Sequence, residues 1–213
     1  MIEDSETIVY DTSDYMRMHP DVFYGKIGDG TEYDDCIYLM LQDIINNSID
    51  EFLFGYGKEV EISVNYVSGE MCVRDYGRGA PIKQLDRCFI AQHVAGMYSP
   101  NMMMDAIVHW TGGARKVCAL SSCFQAVSIQ DGNYGKLVAK GGKKFSYEIG
   151  EFGEDEKNGL LARWIPDATV LPKFIIVENH VVQRIKECAM TNPGLTFLLN
   201  GNEIVASNKG EQT

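Results

Sequence analysis

Residues 39–54, LMLQDIINNSIDEFLF, constrain the fold more than any other stretch because their periodicity is that of an amphipathic helix. Side chains that recur every three or four positions share one face of a helix, and here one such face is apolar apart from a serine. We expect that face to pack on a core, and it consists of Ile37, Leu41, Ile44, Ile45, Ser48 and Phe52. The neighbouring face is polar and carries Asp43, Asn47 and Asp50, with Glu51 at its edge.

Two side chains of the polar face have a spacing that suits chemistry. Asp43 and Asn47 are four positions apart and are therefore neighbours on the helix surface. A carboxylate beside a carboxamide at a core boundary can serve as a general base and a Mg²⁺ ligand. Alone, a D-x-x-x-N spacing is far more often a solvated helix face than a site, so this pair needs support from elsewhere in the chain.

A second motif, DYGRGAP at residues 75–81, follows a strand-like run at residues 69–74 and interrupts it with two glycines and a proline. Gly77 and Gly79 permit backbone angles closed to other residues and allow a ligand to come close to the backbone. Asp75, at the end of the strand, can accept a hydrogen bond from an exocyclic amine. A D-x-G-x-G sequence alone is an ordinary turn.

Together, NNSIDE on a helix and DYGRGAP after a strand resemble the GHKL ATPases. Within that superfamily they look like the B subunits of the bacterial type II topoisomerases, gyrase and topoisomerase IV. The R-G-x-P ending separates these from the heat-shock chaperone, MutL and histidine-kinase branches. Three further stretches fall in the order of the family: HPDVFYGKIGDGTEYDD at 19–35, ALSS at 119–122 and NGLLARWIPD at 158–167.

The resemblance implies an α+β fold, a two-layer sandwich of helices on a mostly antiparallel mixed sheet, as in the GHKL or Bergerat ATPases. It divides the chain into an N-terminal arm, residues 1–18, that reaches over a partner subunit, and an ATP-binding domain, residues 19–213. A frayed terminus is an equally good interpretation of the first residues. From the resemblance we expect this chain to lack the transducer domain, which supplies a lysine to the γ-phosphate in the family.

The pattern of the chain itself agrees with this fold class. An alternating run at 60–67 and a return at 71–74 predict an antiparallel hairpin. Helices are expected at 82–96, at 114–122 and at about 175–190. Further strands are expected at about 124–130, 136–140, 144–150, 160–164 and 195–199.

The resemblance also implies roles for single residues. Asp43 would activate water, Asn47 would hold Mg²⁺ and Asp75 would bind the adenine amine of ATP. Arg78 would stack or pair at the pocket edge, with Asp50 or Glu51. The other positions assigned to nucleotide binding are Gly77, Gly79, Pro81, Ile82, Gly112, Gly113 and Leu160.

Four departures from the family cluster around this one ligand. Asp43 replaces a glutamate, and Leu160 replaces a threonine that helps to read the adenine. Gln130 stands where an arginine is common at the rim. The family's G-x-x-G-x-G lid reads V-H-W-T-G-G here, so only Gly112 and Gly113 remain of its glycines.

The lid region nevertheless keeps features that suit a phosphate. Thr111 could cap the helix that follows, and Arg115 and Lys116 bring positive charge near its start. No lysine or arginine occurs in residues 101–114, so the usual lid lysine has no counterpart. Two interpretations therefore stay open: an ATPase, and a GHKL-fold nucleotide-binding or dimerisation module that has lost hydrolysis.

Composition limits the partners of the chain. Its net charge is −11 and its pI about 4.8, which argues against binding a DNA backbone by itself. No apolar run approaches the ~18 residues of a membrane span, and the acidic N-terminus lacks a secretory core. Six cysteines without a C-x-x-C pair predict buried reduced thiols and a cytoplasmic protein.

The function expected from the resemblance is that of the ATP-binding domain of a type II topoisomerase B subunit, in which ATP binding and hydrolysis drive dimer gate closure. ATP and Mg²⁺ are the expected cofactors. The expected partners are a second copy of the chain and, through the full-length protein, an A-type subunit and DNA. No membrane partner is expected.

Overall fold

A computed structural model describes residues 11–90, 112–153, 156–171 and 173–206. Its helices are α1 (Thr12–Met18), α2 (Pro20–Tyr24), α3 (Cys36–Leu53), α4 (Leu85–Phe89), α5 (Gly113–Ala119) and α6 (Glu178–Thr191). Its strands are β1 (Glu59–Val64), β2 (Met71–Asp75), β3 (Ser121–Gln130), β4 (Asn133–Lys140), β5 (Lys143–Glu151), β6 (Gly159–Pro166), β7 (Thr196–Leu199) and β8 (Asn202–Glu203).

The strands form one mixed sheet in the order β5-β4-β3-β6-β2-β1-β7-β8. Strand β1 pairs parallel with β7, and every other neighbouring pair in the sheet is antiparallel. Along β1, Val60, Ile62 and Val64 are buried while Glu61 and Ser63 are exposed, so one face of the sheet packs on the core. This arrangement confirms the predicted α+β fold class and the hairpin of β1 and β2.

The long helix predicted around residues 39–54 is α3, and its predicted apolar face lies in the core. Of that face, only Phe52 is half-buried, and it packs against the core from the rim. The helix begins after Asp35, whose side chain is turned back to the preceding loop. There it accepts hydrogen bonds from the backbone N–H groups of Gly30, at 2.9 Å, and Glu32, at 3.1 Å. Gly55, with φ +89°, follows the last turn.

Two short helices before α3 were not predicted. Asp11 caps α1 by accepting a hydrogen bond from the Ser13 N–H at 2.9 Å. Pro20 opens α2, because a proline suits the first turn of a helix, where no N–H is needed. Both helices are too short to show a periodicity in the sequence.

Some predicted boundaries are also corrected. The helix expected at 114–122 ends at Ala119, and β3 begins at Ser121. Of the helix expected at 82–96, only Leu85–Phe89 is helical among the described residues, as α4, and residues 91–96 lie outside the described part of the chain. Strand β8 was not predicted. None of the described helices is long and apolar enough to cross a membrane.

The predicted N-terminal arm is described only from residue 11, and its described part packs on α5. Arg17 donates a hydrogen bond to the carbonyl oxygen of Ala119, at 2.9 Å, and pairs with Asp167, at 2.7 Å. Lys143, at the start of β5, pairs with Asp14 at 2.9 Å. These contacts attach α1 to the end of α5 and to the sheet.

Two leucines of α3 test whether the packing of this helix stabilises the fold. Leu41 is fully buried, and Leu53 is 51% exposed. We expect Leu41→Ala to lower the free energy of unfolding by roughly 2–5 kcal/mol, because it opens a cavity in the core. Leu53→Ala is the matched control and should cost less than about 1 kcal/mol. Urea denaturation measures both, and equal costs would contradict the packing of α3.

Candidate nucleotide-binding site

The end of β2 holds a buried carboxylate against α3. Asp75, the last residue of β2, is 5% exposed. Its Oδ1 accepts hydrogen bonds from the backbone N–H groups of Gly77, at 3.0 Å, and Leu160, at 3.2 Å. Its Oδ2 accepts one from the hydroxyl of Ser48 at 3.3 Å. The carboxylate is thereby fixed by α3, by its own turn and by β6.

Ser48 was not predicted as a site residue. It was grouped with the apolar face of the helix, and the signal that could have found it is that it is the one polar member of that face. A buried hydroxyl needs a partner, and Asp75 supplies it. Ser48 therefore links the helix to the carboxylate.

Burial raises the pKa of Asp75 to about 6, although the hydrogen bonds from the N–H groups of Gly77 and Leu160 act in the opposite direction. The negative charge of Glu51 also raises this pKa. The existing hydrogen bonds do not fully offset the cost of burying this charge, so one more hydrogen-bond donor would stabilise the carboxylate. An amine is such a donor.

Both glycines of the turn after β2 are required by close packing. A Cβ on Gly77 would lie 2.8 Å from the Cβ and Cγ atoms of Glu51 on α3. Gly79 has φ +73°, and a Cβ there would lie 2.7 Å from the hydroxyl oxygen of Ser128 on β3. The turn is therefore held between α3 and the sheet with no room for a side chain at either position.

Arg78, between the two glycines, pairs with Glu51. Its Nη2 lies 2.7 Å from Oε1, and its backbone N–H and Nε donate to Oε2 at 2.9 and 3.1 Å. The guanidinium also lies 4.5 Å from the centre of the Tyr56 ring. Gln130 donates from its side chain to the Arg78 carbonyl oxygen at 3.1 Å, so it supports the turn at the position where an arginine is expected.

The segment after the turn lies across the strands. Ser128 donates to the carbonyl oxygen of Ala80 at 2.6 Å, and Tyr147 donates to that of Ile82 at 2.6 Å. Pro81, between these two anchored carbonyls, is half-buried. The predicted positions Gly77, Arg78, Gly79, Pro81 and Ile82 thus form one continuous, anchored loop beside Asp75.

The other end of the polar face of α3 holds Asp43. Its Oδ2 accepts a hydrogen bond from the hydroxyl of Tyr24 at 2.8 Å and pairs with the Nζ of Lys116 at 3.0 Å. The side chains of Lys116 and Asp43 are 11% and 13% exposed. Burial and the charge of Asp43 hold the pKa of Tyr24 well above its usual value, so the phenol remains a donor.

Helix α5 begins directly against Asp43. Gly112 precedes it in the left-handed conformation, with φ 58°, and a Cβ on Gly113 would lie 2.8 Å from the Cγ of Asp43. Gly112 occupies the N-cap position and provides no side-chain cap. The predicted cap, Thr111, lies outside the described residues, as do residues 108–110 of the lid stretch.

Asn47 lies one turn after Asp43 on α3 and is half-buried. Its side chain makes no hydrogen bond with any described residue, so both ends of the carboxamide are available to a ligand. Asp50 is half-buried one turn further on. From Asp43 to Glu51 the polar face of α3 spans about 12 Å, and it connects the Asp43 end of the site to the Asp75 end.

The raised pKa of Asp75 predicts how pH changes stability. The folded carboxyl binds its proton more tightly than the unfolded one, so its contribution is present below about pH 4 and is lost as pH rises through about 6. Between pH 4 and 7, we expect the unfolding free energy of the protein to fall by roughly 2 kcal/mol relative to Asp75→Asn. Urea denaturation at several pH values measures this difference.

Asp167 provides a control of opposite sign. Burial acts to raise its pKa, but the hydrogen bonds from Arg17 and Thr169 outweigh burial and lower it. Its contribution to stability is therefore present above the unfolded pKa and lost in acid. For Asp167→Asn, we expect the unfolding free energy of the protein to rise with pH relative to the variant. The same rise relative to Asp75→Asn would contradict the burial of Asp75.

Comparison with known proteins identifies relatives of the chain. No profile of a known protein family matches it. The B subunit of DNA topoisomerase 4 from Borreliella burgdorferi is 28% identical over 97% of this chain and 34% of its own length. The B subunit of DNA gyrase from Mycoplasma genitalium is 26% identical over 92% of the chain and 32% of its own length. The chain spans about a third of the length of these relatives.

A third relative, the B subunit of DNA topoisomerase 4 from Streptococcus pneumoniae, is 25% identical over 87% of the chain and 29% of its own length. The similarity thus extends to the B subunits of both enzymes and, in each case, covers most of this chain. Over most of its length the chain is similar to about a third of the B subunits of DNA gyrase and of DNA topoisomerase 4.

Proposed function

We propose that this chain is the ATP-binding domain of a type II DNA topoisomerase B subunit, in which ATP binding and hydrolysis drive the closure of a dimer gate. The observation that carries the proposal is the buried carboxylate of Asp75, fixed between α3, β6 and the glycine turn. The relatives, which are B subunits of DNA topoisomerase 4 and of DNA gyrase, support it.

The adenine belongs at Asp75. Oδ2 of this carboxylate has a long hydrogen bond to Ser48 and is buried, so an exocyclic amine would supply one more donor there. Leu160, whose N–H already supports Asp75, adds apolar surface where the family has a threonine.

The phosphates and Mg²⁺ belong at the opposite end of α3. Among the described residues no group of three or more acidic, histidine or cysteine side chains could hold a metal. Mg²⁺ bound to ATP does not need one, since it keeps several waters and takes one or two protein ligands beside the phosphates. The carboxamide of Asn47, which no described residue engages, fits that requirement. When bound, Mg²⁺ neutralises phosphate charge.

Asp43 is the proposed general base. Its Oδ2 is committed to Tyr24 and Lys116, whereas Oδ1 accepts no hydrogen bond from the described residues. Oδ1 is therefore the oxygen that would take a proton from an attacking water. A base must lie within about 2.6–3.2 Å of its proton donor, directly or through one water, and an aspartate reaches less far than the family's glutamate. Hydrolysis is therefore slow in this proposal.

The proposed partners are a second copy of the chain and, through the rest of a longer protein, an A-type subunit and DNA. The net charge of −11 supports a division of labour in which other parts contact the DNA backbone. The six free cysteines, four of them buried, suit the reducing cytoplasm.

The second candidate is a nucleotide-binding and dimerisation module without hydrolysis. The ion pair between Asp43 and Lys116 favours it, because the pair uses one oxygen of the carboxylate that is proposed as the base. Mg²⁺-dependent binding of an unhydrolysable ATP analogue is expected for both candidate functions. Release of inorganic phosphate from ATP would distinguish the ATPase from the module.

Asp75→Asn tests the adenine position. A carboxamide can present its own donor to the adenine amine in place of an acceptor, so we expect ATP binding to weaken at least tenfold, by analogy with loss of a charged hydrogen bond. Calorimetry with an unhydrolysable ATP analogue and Mg²⁺ measures the change. Asp86→Asn, on the exposed side of α4, is the control. Unchanged affinity in Asp75→Asn would remove Asp75 from the pocket.

Asp43→Glu tests the base. The longer side chain restores the family's reach without changing charge, and general-base catalysis is worth roughly 10²–10⁴ in rate. We therefore expect a faster release of phosphate with little change in analogue affinity. A flat rate with nucleotide still bound would show that Asp43 is not the limiting defect. An unaltered chain that already hydrolyses ATP as fast as its glutamate-bearing relatives would contradict the account of a short base.

A further inference from the structure

Asp43, Tyr24 and Lys116 contact one another. A general base does not by itself need the contacts with Tyr24 and Lys116. Tyr24 reaches Asp43 from α2 and Lys116 reaches it from α5, and both meet the same oxygen, Oδ2. The Nζ of Lys116 also lies 4.4 Å from the centre of the Tyr24 ring. Three helices thus converge on one carboxylate.

In this group the negative charge of Asp43 is balanced by the positive charge of Lys116. The side chains of Asp43 and Lys116 are almost as buried as the core, so solvent screens their charges poorly. A buried carboxylate without a cation would be costly. It would also repel a second anion brought to the same end of α3. Lys116 provides the one positive charge that the described structure places within hydrogen-bonding distance of Asp43.

We infer that Lys116 is a positioning residue that neutralises Asp43 and fixes its carboxylate, so that a triphosphate can approach while Oδ1 stays directed at water. This inference rests on the proposed function, because it takes the triphosphate to end near Asp43. Lys116 therefore acts through Asp43 and does not contact the nucleotide. Tyr24 shares the positioning but contributes no charge.

Two alternatives make different predictions for paired substitutions. If Lys116 contacted a phosphate directly, its loss would weaken binding whatever stands at position 43. If Lys116 acts by neutralising Asp43, its loss matters only while the carboxylate is present. A double-mutant cycle between the two positions separates these cases.

The experiment is calorimetry of the whole chain with the β,γ-imido analogue of ATP, with and without Mg²⁺, and with ADP, at fixed ionic strength. We expect Lys116→Met to weaken analogue binding roughly tenfold, because an uncompensated buried charge then faces the triphosphate. ADP, with fewer charges, should lose less. Asp43→Asn in the Lys116→Met background should restore analogue affinity to within about threefold of the unaltered chain.

Two variants keep the test sound if Lys116→Met folds poorly. Lys116→Gln keeps an N–H donor without the charge and should behave as Lys116→Met, while Lys116→Arg keeps the charge and should bind as the unaltered chain does. Thermal unfolding monitors folding in every case. Lys136→Met, which removes a lysine paired with Glu148 on the sheet, is the matched control and should leave affinity unchanged.

The outcomes are distinct. A double variant that binds as weakly as Lys116→Met would show that Lys116 contacts phosphate itself, and a Lys116→Met variant that binds normally would show a structural lysine; either overturns the inference. If the unaltered chain binds the analogue but the effects of the substitutions at positions 43 and 116 simply add, this inference is wrong and the proposed function is unaffected. An unaltered chain that binds no analogue overturns the proposed function and the inference with it.

Discussion

The close packing of α3 against the end of β2 determines where the side chains of the candidate site lie. Gly77 carries no side chain because Glu51 occupies that space, and Ser48 reaches Asp75 because the helix lies so near. The apolar face that holds α3 there lies in the core, with Phe52 packed at its rim. The same burial that stabilises the domain therefore places Asp43 and Asn47 of α3 along the side of the helix that leads to Asp75 at the end of β2.

Much of this arrangement could be predicted because it is local in the sequence. The spacing of apolar side chains predicts α3 and β1, and the glycines after Asp75 predict a tight turn. The ion pair of Lys116 with Asp43 could not be predicted, since it depends on how two helices from distant parts of the chain meet. The short helices α1 and α2 could not be predicted for a related reason. Arg17 of α1 pairs with Asp167, and Tyr24 of α2 donates to Asp43, so contacts with distant residues hold both helices in place.

The departures from the family form a consistent set in the structure. Gln130 supports the turn through a backbone carbonyl, and the N–H of Leu160 supports Asp75 although its side chain has no hydroxyl. At the other end, Asp43 is shorter than a glutamate but is held by Tyr24 and Lys116. Asp75, at the proposed adenine end, is thus fixed by three hydrogen bonds. Asp43, at the proposed catalytic end, is held by a phenol and an ammonium group.

A crystal structure of the chain with an unhydrolysable ATP analogue and Mg²⁺ would show directly where the nucleotide binds. We expect the adenine amine within hydrogen-bonding distance of Asp75 and the metal beside Asn47. We also expect the terminal phosphate at the Asp43 end of α3, with the pair between Asp43 and Lys116 intact. A nucleotide bound away from Asp75, or a metal held by Asp43 in place of Lys116, would contradict the proposed site.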